Sequence, residues 1–213
     1  MTDSLTSPRP ALLPRARGII GVAVGVPIAF IQDHSILIGL LGFAIFAALT
    51  AVAMLVFGRG TRPGWPFIAG AASGIAAIAA VALVLIDPSN ERAFTLVLAA
   101  WALVAGGAEA FGWLRARSTV ASDRDRRIVA DWRMVAILTI IYGLGMAFLN
   151  LGPVPTVGTF GAYAVIVGVF TLIASFSARP IRRAEQPSAP DSTGTPGIGT
   201  ESPATTAPSG DAR

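Results

Sequence analysis

The sequence predicts an all-α polytopic membrane protein, with six transmembrane helices arranged as three in–out–in hairpin repeats. Three observations predict it. Six apolar runs punctuate the chain, most of them near the roughly 20 residues that cross a ~30 Å hydrocarbon core at 1.5 Å per residue. Charged residues make up 13% of the chain, against about 25% in soluble domains. The basic residues are all arginine, and they gather in alternate segments between the runs. Helices are the natural spanning elements, because each backbone polar group in lipid needs a partner within its own segment. Barrel strands would alternate apolar and polar side chains, and these runs do not.

Residues 1–17 form a polar, cytoplasmic N-terminal segment carrying Arg9, Arg15 and Arg17. The first run, Gly18–Ile31, is short and contains Pro27, which should kink it by removing a backbone donor. A basic start before a short apolar run resembles a signal peptide. The run ends in Gln32-Asp33-His34 without a small-x-small cleavage site, so it reads as a retained first span. The later runs are Ile36–Gly58, Phe67–Ile86, Ala93–Leu114, Met134–Leu151 and Gly158–Ala178. Together they make a transmembrane domain over 18–179. Residues 180–213 are rich in Pro, Ser, Thr and Gly, and they lack the apolar side chains that offset ordering entropy. They are expected to be a disordered cytoplasmic tail.

Six spans with both termini in the cytoplasm leave only Arg92 outside, the pattern of the positive-inside rule. Trp65, Trp113 and Trp132 then fall at inner helix ends, where indoles favour the headgroup region, and Trp101 alone sits at mid-depth. Between the fourth and fifth runs lies an Arg-rich connector, in which Ser122 and Asp125 read as the cap of a helix entering the fifth span. The arginine-only usage, with abundant Ala and Gly, points to a GC-rich bacterial source and hence a bacterial plasma (inner) membrane.

Aligning the even-numbered runs on Arg59, Arg117 and Arg179 reveals the repeat. Phe43, Trp101 and Tyr163 coincide, then Ala44, Ala102 and Ala164, then Ala48, Gly106 and Gly168, then Ala51, Glu109 and Thr171. The small residues at these positions are candidate packing surfaces, because helices associate in lipid through close backbone approach. Gly21 with Gly25, and Gly70 with Gly74, offer the same small-xxx-small surface on the first and third runs.

Glu109 is the single acidic residue set inside an apolar run. Ala102, Gly106 and Glu109 share one helical face, so the carboxylate is directed into a helix contact. Thr50, Ser73, Thr139 and Thr171 lie at the same depth on other helices, making a candidate intramembrane polar site. Carboxylates in this position are functional hypotheses by default. Glu109 either makes one interhelical hydrogen bond, reaches Arg115, or serves a proton-linked or substrate-binding role. His34 and the Asp87–Arg92 turn read as loop chemistry.

A short repeated hairpin ending in small residues, a Glu and arginines resembles the HdeD-like family of six-helix bacterial inner-membrane proteins. The resemblance is best in AAWALVAGGAEAFGWLRAR and FGAYAVIVGVFTLIASFS. It implies a plasma-membrane protein tied to acid or envelope stress, with no catalytic motif to carry over. Glu109 has no carboxylate at its matching positions, Ala51 and Thr171, which disfavours a symmetric proton relay.

Catalysis is not expected. The chain has no cysteine and one histidine, GRGTRPG at 58–64 lacks phosphate-loop spacing, and no nucleophile elbow or zinc-protease motif occurs. No cofactor, metal or nucleic-acid partner is anticipated. The lipid bilayer is the expected partner, with a homo-oligomer or membrane-protein partner left open. A small transporter or channel using Glu109, or a scaffold recruiting partners through the Arg-rich connector and tail, are the competing readings.

Overall fold

A computed structural model describes residues 12–58, 64–118, 123–149 and 151–177. Six helices account for nearly all of them: α1 (Leu12–Phe30), α2 (Ile36–Phe57), α3 (Trp65–Ile86), α4 (Glu91–Ala116), α5 (Asp123–Phe148) and α6 (Pro153–Ser177). All six are long and apolar enough to cross a membrane. Their outward surface carries large apolar side chains such as Phe30, Phe67, Ile78, Leu85 and Phe148, as lipid-facing helices require. The chain is a multi-pass membrane protein. The arginines at 59, 62, 124, 126, 127 and 179, the cap at Ser122 and the tail from 180 lie outside what is described here of side chains.

Helix boundaries follow local chemistry. The Asn90 side chain accepts a hydrogen bond from the Ala93 amide and caps α4. Gly64 and Gly152 take positive φ values of 79° and 80°, a region open to glycine at little cost. Each lets the chain turn into a helix with proline near its start, Pro66 in α3 and Pro153 in α6, where a missing amide donor is harmless. Helix α1 begins at Leu12, well before the apolar run, and runs past the exposed Pro27, with the Ile31 amide bonded to the Pro27 carbonyl. Arg15 and Arg17 therefore lie inside α1 instead of in a preceding segment.

Consecutive helices alternate in direction. Arg15 near the start of α1 lies over Phe176 near the end of α6, and Trp65 at the start of α3 meets Gly112 near the end of α4. At the opposite end, Gly39 at the start of α2 lies against Phe94 at the start of α4. One end of the bundle thus gathers Arg15, Arg17, Arg115, Arg117 and Arg133, while Arg92 belongs to the other. At that other end, the Asp87 carboxylate accepts from the Ser89 hydroxyl at 2.8 Å and the Ser89 amide at 3.3 Å. The Ser89 hydroxyl is the main influence holding its pKa below the ordinary value of 3.8.

The closest packing runs between the expected hairpins, not within them: α2 on α3, α4 on α5, and α6 around to α1. The reason is where the small residues face. A Cβ on Gly21 would stand 2.7 Å from the Ala164 carbonyl oxygen, and one on Gly168 would stand 2.7 Å from the Val22 nitrogen. On α4, a Cβ at Gly106 would lie 2.9 Å from Ile140, and Ala102 abuts Gly143. Ala44 and Ala164 are also buried. Ala48 departs from the expected packing set, being exposed. The glycines of α3, Gly70 and Gly74, face Met54 and Ala51 instead, which moves the α2–α3 contact toward the arginine end.

Two tests follow from this geometry. Gly168→Ala should separate α1 from α6 and lower stability by about 1–3 kcal/mol, the usual cost of overpacking, whereas Gly107→Ala, with nothing within 4 Å of its Cβ, should be tolerated. Thermal unfolding of both variants in detergent checks this, and equal melting temperatures would contradict it. At the other end, a carboxylate with a lowered pKa contributes its stability fully above the ordinary Asp value and loses it as pH falls through the folded value. Protection of the Ser89 amide, the slowing of its exchange relative to an unstructured amide at the same pH, should therefore hold down to about pH 4 and fall only below it.

Candidate functional site

The even-numbered helices touch one another chiefly through rings. Phe43 and Phe46 of α2, Phe94 and Trp101 of α4, and Phe160 and Tyr163 of α6 form an edge-to-face cluster. Its centroid separations run from 5.4 Å for Phe43–Trp101 to 6.3 Å for Phe43–Phe94. Edge-to-face geometry sets the positive rim of one ring against the negative face of the next. The aligned aromatics Phe43, Trp101 and Tyr163 thus meet in space. Tyr142 of α5 stacks on Tyr163 at 4.4 Å.

Polar groups lie against this cluster on the side of the arginine end. Glu109, 2% exposed, forms an ion pair with Arg17 of α1 through its Oε1. Of the alternatives for Glu109 this is an interhelical bond and not a contact with Arg115, whose guanidinium lies over Phe111 at 4.6 Å. The carboxylate faces inward, while Arg115 sits on the exposed side of α4. The Arg17 guanidinium also lies 5.9 Å from the centre of the Trp65 ring. Trp65 in turn packs on Trp132 at 5.4 Å. Trp65, at the start of α3, is buried beneath Arg17, where Gly112 leaves room for its ring.

Proton positions in the remaining network can be deduced. The Ser73 hydroxyl donates to the Ala69 carbonyl at 2.8 Å, so it accepts from the Trp101 indole N–H at 3.0 Å. Thr139 likewise donates to the Val135 carbonyl at 2.8 Å, which makes the Tyr163 hydroxyl the donor in their 2.8 Å contact. Each of these hydroxyl protons is committed elsewhere, and Glu109 Oε2 has no hydrogen-bond partner among the described residues. The carboxylate, Arg17, Thr50, Ser73, Trp101, Thr139 and Tyr163 border a cavity of about 10 Å³, room for roughly one water molecule.

Of the residues expected at this depth, Thr50, Ser73, Thr139 and Glu109 come together around one cavity. Thr171 is buried but donates to Val167 and Gly168 of its own helix and lies apart from the lining. Arg17 was assigned to the N-terminal segment and so missed. Trp101 signals its role in the sequence, since an indole N–H at mid-depth needs an acceptor. Among the described residues, no group of three His, Asp or Glu side chains is placed to hold a metal.

A double-mutant cycle tests the pair. Arg17→Gln strands a buried carboxylate and should cost about 3 kcal/mol, as removal of one partner of a buried pair does. Glu109→Gln should cost less, because Arg17 is 15% exposed and can turn toward water. The double variant should recover much of the loss. Additive losses in thermal unfolding would show that the two residues are not coupled. Comparison of the chain with family models, with curated proteins and with solved structures finds no match.

Proposed function

We propose that the chain is a non-enzymatic, HdeD-like protein of a bacterial plasma membrane, built from three in–out–in hairpins with its arginine end in the cytoplasm, and that it supports envelope integrity under acid stress. The observation that carries this reading is the Arg17–Glu109 pair closing an otherwise aromatic and hydroxyl core. Protonation of Glu109 would end the charge pairing and release Arg17, loosening α1 from α4. The bundle would then respond as a whole to proton access. Supporting the repeat, the closest interfaces recur with a period of two helices, and the aligned aromatics share one cluster. Supporting the orientation, five described arginines share one end, as the positive-inside rule requires.

A deletion strain should survive external acid less well than its parent. Wild-type protein should restore survival and Glu109→Gln should not, at equal membrane levels. Equal survival of deletion and parent across external pH would refute the reading. Single cysteines check the topology: one at Ser35 should label from outside and one at Ser118 only after permeabilisation.

A second reading has its own support. The open acceptor at Glu109 Oε2 beside the small cavity suits a proton-linked transporter in which Glu109 carries the proton. Glu109→Gln should then abolish proton flux in reconstituted vesicles, and unchanged flux would remove this mechanism.

A further inference from the structure

At the arginine end, on the seam between α4 and α5, two cations converge on one ring. The guanidinium of Arg117 lies 5.2 Å, and that of Arg133 6.0 Å, from the centre of the Trp113 indole. An indole face attracts a guanidinium through its quadrupole. The attraction holds two cations beside one ring, one from each helix. Both arginines are exposed, and among the described residues neither has a carboxylate partner. The ion pair that ties Arg17 into the core is not repeated here.

From this juxtaposition we infer that Trp113, Arg117 and Arg133 form a binding site for the headgroup phosphate of an anionic phospholipid. A phosphate at this seam compensates cations that have no carboxylate partner among the described residues, and the planar fork of arginine suits its oxygens. Anionic surfaces attract such juxtamembrane arginines. The apolar part of the ligand is also provided for. Leu114 lies three residues before Arg117 on α4, and Ile137 lies four residues after Arg133 on α5. These spacings keep each beneath its arginine on one helical face. Both side chains are exposed, at 45% and 46%, so an acyl chain leaving the headgroup meets apolar wall. A soluble phosphate would use only the cationic half of this surface. The inference stands apart from the proposed function, since it requires neither the acid response nor a given orientation.

The full chain, purified in a zwitterionic detergent, is mixed with phosphatidylglycerol or phosphatidylcholine, and retained lipid is counted by native mass spectrometry. Phosphatidylglycerol should be retained preferentially. R117Q/R133Q should weaken that retention roughly tenfold, while R92Q, at the opposite end, should leave it unchanged. Trp113→Leu keeps both charges but removes the ring that gathers them, and should give an intermediate loss. Glycerol 3-phosphate at equal concentration should not displace the lipid. Equal retention of the two lipids, unchanged retention by R117Q/R133Q, an equal loss in R92Q, or displacement by glycerol 3-phosphate would each overturn the assignment.

Discussion

Lipid tails are as apolar as leucine, so helices inside a bilayer gain nothing by hiding apolar side chains from their surroundings. The contacts that set helix against helix here are ones that lipid cannot supply. Close approach of backbones is one, and it requires side chains small enough to stand aside. The α1–α6 interface is the clearest example, with Gly18, Gly21 and Gly25 facing Gly161, Ala164 and Gly168. The direction of the small faces, not the order of helices along the chain, decides which neighbours come closest.

The remaining contacts are rings and polar pairs, and they divide the work by helix parity. Odd and even helices approach through glycine and alanine. The even helices, whose backbones stay further apart, are bridged by Phe43, Trp101, Phe160 and Tyr163. Against the rings lie the groups that hydrocarbon would penalise most. Ser73 and Thr139 each return a proton to their own helix and accept one from an aromatic partner, which joins α3 to α4 and α5 to α6. Arg17 and Glu109 join α1 to α4. A polar core of this kind favours one arrangement, since parting these helices leaves the Trp101 and Tyr163 donors and the Arg17 and Glu109 charges without partners.

The two ends of the bundle differ in kind. One holds a compact, hydrogen-bonded turn in which the Asp87 carboxylate accepts from Ser89 and Asn90. The other holds cations resting on aromatic rings, with Arg15 on Phe176, Arg17 on Trp65, Arg115 on Phe111, and Arg117 and Arg133 on Trp113. Such side chains lay an apolar stem along the helix and keep a charged head toward the headgroup region. Among the described arginines only Arg17 turns inward to a carboxylate, and this difference separates the core site from the lipid-facing surface.

The sequence by itself determined the number of spanning helices, the clustering of arginines at one end and the presence of a carboxylate among hydroxyls at one depth. These follow from hydropathy, charge counting and the 3.6-residue period, all properties of a single segment. It also brought Phe43, Trp101 and Tyr163 into register before any contact was known. Only the tertiary structure decided that Arg17 pairs with Glu109, because its partner lies on another helix and α1 begins earlier than the apolar run suggests. The same holds for Ala48, which shares a repeat position with Gly106 and Gly168 yet faces outward. Which face of a helix meets which neighbour depends on the fit between two surfaces, and no single segment contains that information.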